Sequence, residues 1–192
     1  MTLYTIALFL HVVGALLLGT ALTGEGIALF HLRQATTREE LQTWEGVALL
    51  GRVFGPASIV LILLPGLYMM FDSWGWVPWI AVGLFSLLVI AIIGASSGIR
   101  LGLLLRSAAS GSPVTHAVRV RLRAAIFVVS WFARVSIALG VVFLMTSKPQ
   151  LVPALLAIAI AAAVGSATGA LVARRGERAV ERSGSMEVPT VE

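Results

Sequence analysis

The chain contains no cysteine among its 192 residues. A disulfide framework, a thiolate nucleophile, Cys-ligated zinc and an ordinary iron–sulfur cluster are thereby excluded. Charge is scarce as well: Asp, Glu, Lys and Arg make up 12% of the residues, about half the share of an ordinary soluble domain. Hydrophobic residues make up 58%, and the mean hydropathy is +0.97. A water-soluble fold of this size has too little interior to hide so many apolar side chains and too few charges to coat its outside. Catalytic signatures are equally thin. There is no Walker A loop, HExxH helix or dinucleotide fingerprint. Gly94-Ala95-Ser96-Ser97-Gly98 fits G-x-S-x-G but lies inside an apolar run, where no strand turns into a helix around the serine.

What is present is a set of long apolar runs. Crossing roughly 30 Å of hydrocarbon as a helix takes about 20 residues. Five runs reach that length: Leu3 to Leu22 with a helical pattern continuing to Phe30, Val53 to Phe71, Val77 to Ile99, Ala124 to Met145, and Leu151 to Ala173. Backbone facing lipid must satisfy its own hydrogen bonds, and the runs lack the alternation of barrel strands. The expected fold is all-α, a polytopic bundle of five transmembrane helices within residues 1–175, with spans of about 3–30, 50–71, 77–105, 120–146 and 151–174. A polar tail is expected over 176–192.

The basic residues give the bundle a direction, because Lys and Arg near span ends stay on the cytoplasmic side. Arg33, Arg38 and Arg52 flank the first connection, Arg100, Arg106, Arg119, Arg121 and Arg123 the third, and Arg174, Arg175, Arg178 and Arg182 follow the last span. The opposite connections carry only Lys148, and Arg134 is the one cation inside a run. The N-terminus is therefore expected outside and the C-terminus in the cytoplasm of a bacterial inner membrane. Met1-Thr2 supplies no basic n-region, so the first run reads as a retained anchor rather than a signal peptide. The net charge of +5 is divided among three segments with no recognition motif, so nucleic acid is not an expected partner. Tyr68, Trp74, Trp76 and Trp79 form an aromatic belt at the outer end.

Between the runs, Thr37-Arg38-Glu39-Glu40 fits a capping box. A short cytosolic helix is expected within Gln34 to Gly46. Ser107 to Pro113 reads as a flexible loop and Glu187 to Glu192 as a disordered end. Pro56 and Pro65 are expected to bend the second span. Small residues recur every four positions at Gly51 and Gly55, at Gly94, Gly98 and Gly102, and at Ala157, Ala161, Gly165 and Gly169. Such seams pack helices within one bundle or between copies of a homo-oligomer.

Ionisable groups at membrane depth are costly and so point to function. At 1.5 Å per residue, His11 lies about 12 Å below the outer end of its span, Glu25 about 33 Å, Arg52 about 30 Å below Asp72, and Arg134 about 21 Å below Lys148. The matched depths predict a Glu25–Arg52 ion pair; Arg134, with no depth-matched acid, is expected to reach toward that pair or toward carbonyls freed by the prolines, or to face an anionic ligand, a lipid headgroup or a porphyrin propionate. His11 shares a helical face with Gly14, Ala15 and Leu18. It is a candidate core residue, proton carrier, or haem or copper ligand, with Met69, Met70 or Met145 as companion thioethers. His31 and His116 fall on the cytosolic side, away from it.

Three segments carry a family resemblance: Leu10-His11-Val12-Val13-Gly14-Ala15, Pro65-Gly66-Leu67-Tyr68, and Leu144-Met145-Thr146-Ser147-Lys148-Pro149. Over roughly Leu3 to Pro149 the chain resembles the small bacterial integral membrane proteins grouped as domain of unknown function family 2269. That group is distantly similar to copper resistance D type membrane proteins and to haem-dependent membrane protoporphyrinogen oxidases. The resemblance implies a metal- or haem-binding role for His11 and assigns no activity. The expected function is a non-enzymatic membrane protein that binds or moves a small ligand, copper or haem among the candidates, through a track of His11, Glu25, Arg52 and Arg134. The alternatives are a haem-dependent membrane oxidoreductase and a scaffold or assembly subunit.

Overall fold

The computed structural model describes residues 2–35, 37–109 and 120–185; side chains at 38, 49–50, 107–109 and 177–185 are not among those described. Every element among the described residues is helical. The helices are α1 (Leu3–Leu32), α2 (Arg38–Met69), α3 (Pro78–Ala109), α4 (Ala125–Ser147) and α5 (Leu151–Ser185), with a π-helical turn over Met70–Trp74 after α2. Five helices are long and apolar enough to cross a membrane. Many of their large side chains face outward, among them Phe9, Leu16, Leu64, Phe85, Leu139 and Ile160, each more than half exposed. In water such a surface would be prohibitive, but in lipid it is the solvent-facing side.

Local chemistry sets the ends. Thr2 caps α1 by accepting from the Thr5 amide, and Pro78 opens α3, where its missing N–H costs nothing. At the end of α4, Lys148 turns left-handed (φ 47°), its amide donates to Leu144, and Pro149 prevents continuation. The Thr37 capping box forms as expected, with Glu40 reaching back to the Thr37 amide. The helix it starts is not a short separate one, however. It runs unbroken into the second span, since Gly46 and Gly51 weaken a helix without stopping it. It continues through Pro56 and Pro65 as one element. Helix α5 likewise passes residue 175, the expected edge of the bundle, and reaches Ser185 with no proline to stop it. Ser107 to Ala109 complete α3 rather than begin a loop. The remainder of that loop (110–113), His116, Arg119 and Glu187 to Glu192 lie outside the described residues.

Helices α1 and α2 pack along much of their length, as do α4 and α5, whereas α2 and α3 touch sparsely. At the end holding residues 74–79, Trp74 donates to Tyr4 Oη (3.3 Å), meets Trp79 edge-on and lies under the Lys148 ammonium (4.2 Å). Of the expected belt, Trp74 and Trp79 are thus in contact, while Tyr68 donates to Asp72 (3.4 Å) and Trp76 is exposed. The opposite end gathers a core of Leu29, Leu32, Leu41, Leu105, Leu122 and Phe127. There Arg123 Nε donates to the Arg33 carbonyl (3.2 Å), and His31 stacks on Trp44 (3.8 Å).

Candidate functional site: a cationic cavity between α2 and α3

Where α1 crosses α2, a Cβ at Gly14 would lie 2.8 Å from the Leu61 carbonyl carbon and 2.9 Å from the Ile62 nitrogen. The glycine therefore brings two backbones into contact just before Pro65. Beside it the half-buried His11 ring bonds through Nδ1 to the Ile62 carbonyl (2.8 Å), and Gly66 leaves room for the ring. A carbonyl only accepts, so Nδ1 carries the proton, and the lone pair of a neutral ring resides on Nε2.

Farther along α1, the helix meets α4. Trp131 Nε1 donates to the Leu22 carbonyl (2.7 Å), and its ring fills the space that Gly26 leaves by lacking a Cβ. Three residues on, Arg134 grips Glu25 with both terminal nitrogens, Nη1 to Oε2 at 2.8 Å and Nη2 to Oε1. Its Nε donates to the Ser130 carbonyl (3.3 Å), and the Ser130 hydroxyl accepts from Ser97 of α3 (3.0 Å). Arg134 is buried, with 4% exposure. A guanidinium so enclosed requires a carboxylate in fork geometry, and Glu25 supplies it.

This corrects the expected pairing. Among the described residues Glu25 pairs with Arg134, not Arg52. Arg52 is on α2, exposed, and its Nη2 donates to the Gly98 carbonyl of α3 at 3.4 Å. The depth estimate did place Arg52 near Glu25, since Cβ of Glu25 lies 4.0 Å from where Gly51 would carry one. Helix rotation, which depth does not specify, turns Arg52 toward α3, and the depth count, about 21 Å for Arg134 against about 33 Å for Glu25, left Arg134 without the acid it in fact meets. Trp131, Gly26 and Arg106 were missed; the spacing of Trp131 and Arg134, one turn apart like Leu22 and Glu25, was the available signal.

Between α2 and α3 is a cavity of about 740 Å³. Gly51, Gly55 and Pro56 line it from α2, and Gly94, Gly98 and Gly102 from α3, with Arg52, Arg106, Arg134 and Glu25 contributing charge. The glycine seams therefore face a space instead of closing on each other. A Cβ at Gly98 or Gly55 would meet nothing within 4 Å, while Gly94 and Gly102 make room for the guanidiniums of Arg134 and Arg52. The α5 seam, by contrast, is filled within the chain: Gly165 lies against Phe132 and Ser136, and Gly169 against Val129. Lining residues Val60, Ile99 and Leu103 are 52–64% exposed, so the cavity reaches the outer surface between the two helices. Ile59 and Ala91 also line a second, almost wholly apolar hollow of about 400 Å³ that extends to Trp76.

His11 does not line this cavity. Among the described residues no three His, Asp or Glu side chains gather to hold a metal. Met69 and Met70 are buried, and the Met145 methyl packs toward Gly83 of α3 (3.7 Å). The Ser96 hydroxyl is turned to the Ile93 carbonyl of its own helix (3.0 Å), with no base bonded to it. No family model, curated protein or solved structure matches the chain.

Proposed function

We propose that the protein is a non-enzymatic, multi-pass membrane protein that binds or passes on a small anionic ligand through the cavity between α2 and α3. The observation that carries this reading is the charge balance of that space. Three guanidiniums and one carboxylate line it, and Arg134 consumes the carboxylate, leaving Arg52 and Arg106 facing an otherwise apolar volume. Cations bordering lipid that pair with no acid among the described residues are favoured by an anion that meets them. The placement proposed is a bacterial inner membrane with the N-terminus outside and the C-terminus cytoplasmic, supported by the arginines collected around residues 33–52 and 100–123 and after 173. The likeness to domain of unknown function family 2269 belongs to the same proposal.

Purification of the full chain in mild detergent, followed by mass spectrometry of an organic extract, a visible spectrum and metal analysis, tests the reading. About one anionic small molecule per chain is expected, lost from Gly98→Leu, whose Cβ enters open space. A Soret band lost in His11→Ala would replace this reading with haem binding. An empty chain copurifying stoichiometrically with another protein would replace it with a scaffold. Reporter fusions at residues 1 and 192 are expected to report opposite compartments.

A further inference from the structure

The second hollow, which borders the cavity at Ile59 and Ala91 and reaches Trp76, narrows the class of ligand. Its lining is almost wholly apolar. From Gly102 to Ala91 along α3 is about 16 Å at 1.5 Å per residue. That is the depth of one leaflet in a hydrocarbon core of about 30 Å. Arg52 lies over Gly98 and Gly102, and Arg106 follows one turn farther on the same face, about 6 Å along the axis. Two guanidiniums at one end of a leaflet-deep apolar groove match a compact phosphate carrying an acyl chain. A free inorganic anion would leave the groove unfilled, and a zwitterionic headgroup would bring an ammonium to two arginines.

Resting on the cavity reading above, we infer that the α2–α3 groove is a lateral binding site for a phospholipid of net negative charge, its phosphate between Arg52 and Arg106 and one acyl chain along Ile59 and Ala91. Glu25 keeps Arg134 out of this clamp, so the headgroup is read by the two outer arginines alone. Because the groove opens between helices, the lipid enters sideways from its own leaflet without leaving hydrocarbon.

Native mass spectrometry of the full chain in detergent, titrated with phosphatidylglycerol, with phosphatidylcholine of the same chains and with inorganic phosphate, tests the assignment. One phosphatidylglycerol is expected to bind at least about tenfold more tightly than phosphatidylcholine, since each charge-assisted contact is worth that order of discrimination. Arg52→Gln and Arg106→Gln should each cut the preference, and the double variant should abolish it while phosphatidylcholine binding stays unchanged. Both side chains are exposed, so their loss removes no buried apolar core. Gly98→Leu should remove both lipids. If the arginine variants keep the preference while Gly98→Leu removes binding, the headgroup clamp is overturned and the cavity reading stands. Binding indifferent to Gly98→Leu overturns both. Competition by equimolar inorganic phosphate overturns the acyl-chain assignment.

Discussion

Helix α2 carries two contrasting contacts. Against α1 it is closed to the limit: the Gly14 position abuts the backbone of Leu61 and Ile62, and the Gly66 position faces the His11 ring. Against α3, the glycines at 51 and 55 look across a cavity at those at 94, 98 and 102. Both contacts draw on small residues at membrane depth. In lipid, where burial from water supplies no drive, small residues permit approach without compelling it. What occupies the space decides the outcome. On the α1 side a backbone fills it, whereas on the α3 side the guanidiniums of Arg134 and Arg52 lie against Gly94 and Gly102 and the space beside Gly98 and Gly55 stays open.

The sharpest way to break this contrast is to free the arginine that borders the cavity from α4. Glu25→Gln should cost about 3–5 kcal/mol, because Arg134 is left buried and without its carboxylate, and Arg134→Gln should cost less, since Glu25 keeps 26% exposure. Replacing both by apolar residues of similar size, Glu25→Leu with Arg134→Met, should cost much less than the sum of the single losses. Thermal unfolding in detergent, arranged as a double-mutant cycle, reads the difference, and additive losses would show that the pair is not coupled. A smaller effect separates the two glycine contacts. Gly14→Val should destabilise by about 1–3 kcal/mol through overpacking against Leu61. Gly98→Ala should be neutral or gain up to about 1 kcal/mol from helix propensity, since its Cβ enters empty space. Equal losses at the two positions would erase the distinction between a closed seam and an open one.

Hydropathy made the five spans legible, because lipid leaves the backbone almost no alternative to helix. The capping box at Thr37 was readable from four residues. Where α2 and α5 begin and end was less so: hydropathy reports the apolar part of a helix, and both helices extend past it in polar residues. The candidate site was legible as a list of expensive side chains, not as a set of pairs. Counting rise placed Glu25 and Arg52 on matched levels and Arg134 about 12 Å shallower, yet packing turns α4 so that Arg134 meets Glu25. The glycines of α3 were readable as a seam. That the seam lines a cavity follows from the spacing of α2 and α3, which no local pattern encodes.

The grip of Arg134 on Glu25 joins positions 109 residues apart, with consequences for how the chain is made. At a synthesis rate of about 5–20 residues per second, the acid of the first span waits about 5–20 s in or beside the bilayer before its counter-ion is translated. During that interval the nascent first and second helices can join at Gly14, but the carboxylate must be tolerated by water, by a proton or by the insertion machinery. Biogenesis of this protein therefore contains a built-in delay between hairpin formation and charge neutralisation, ended only when the fourth helix arrives.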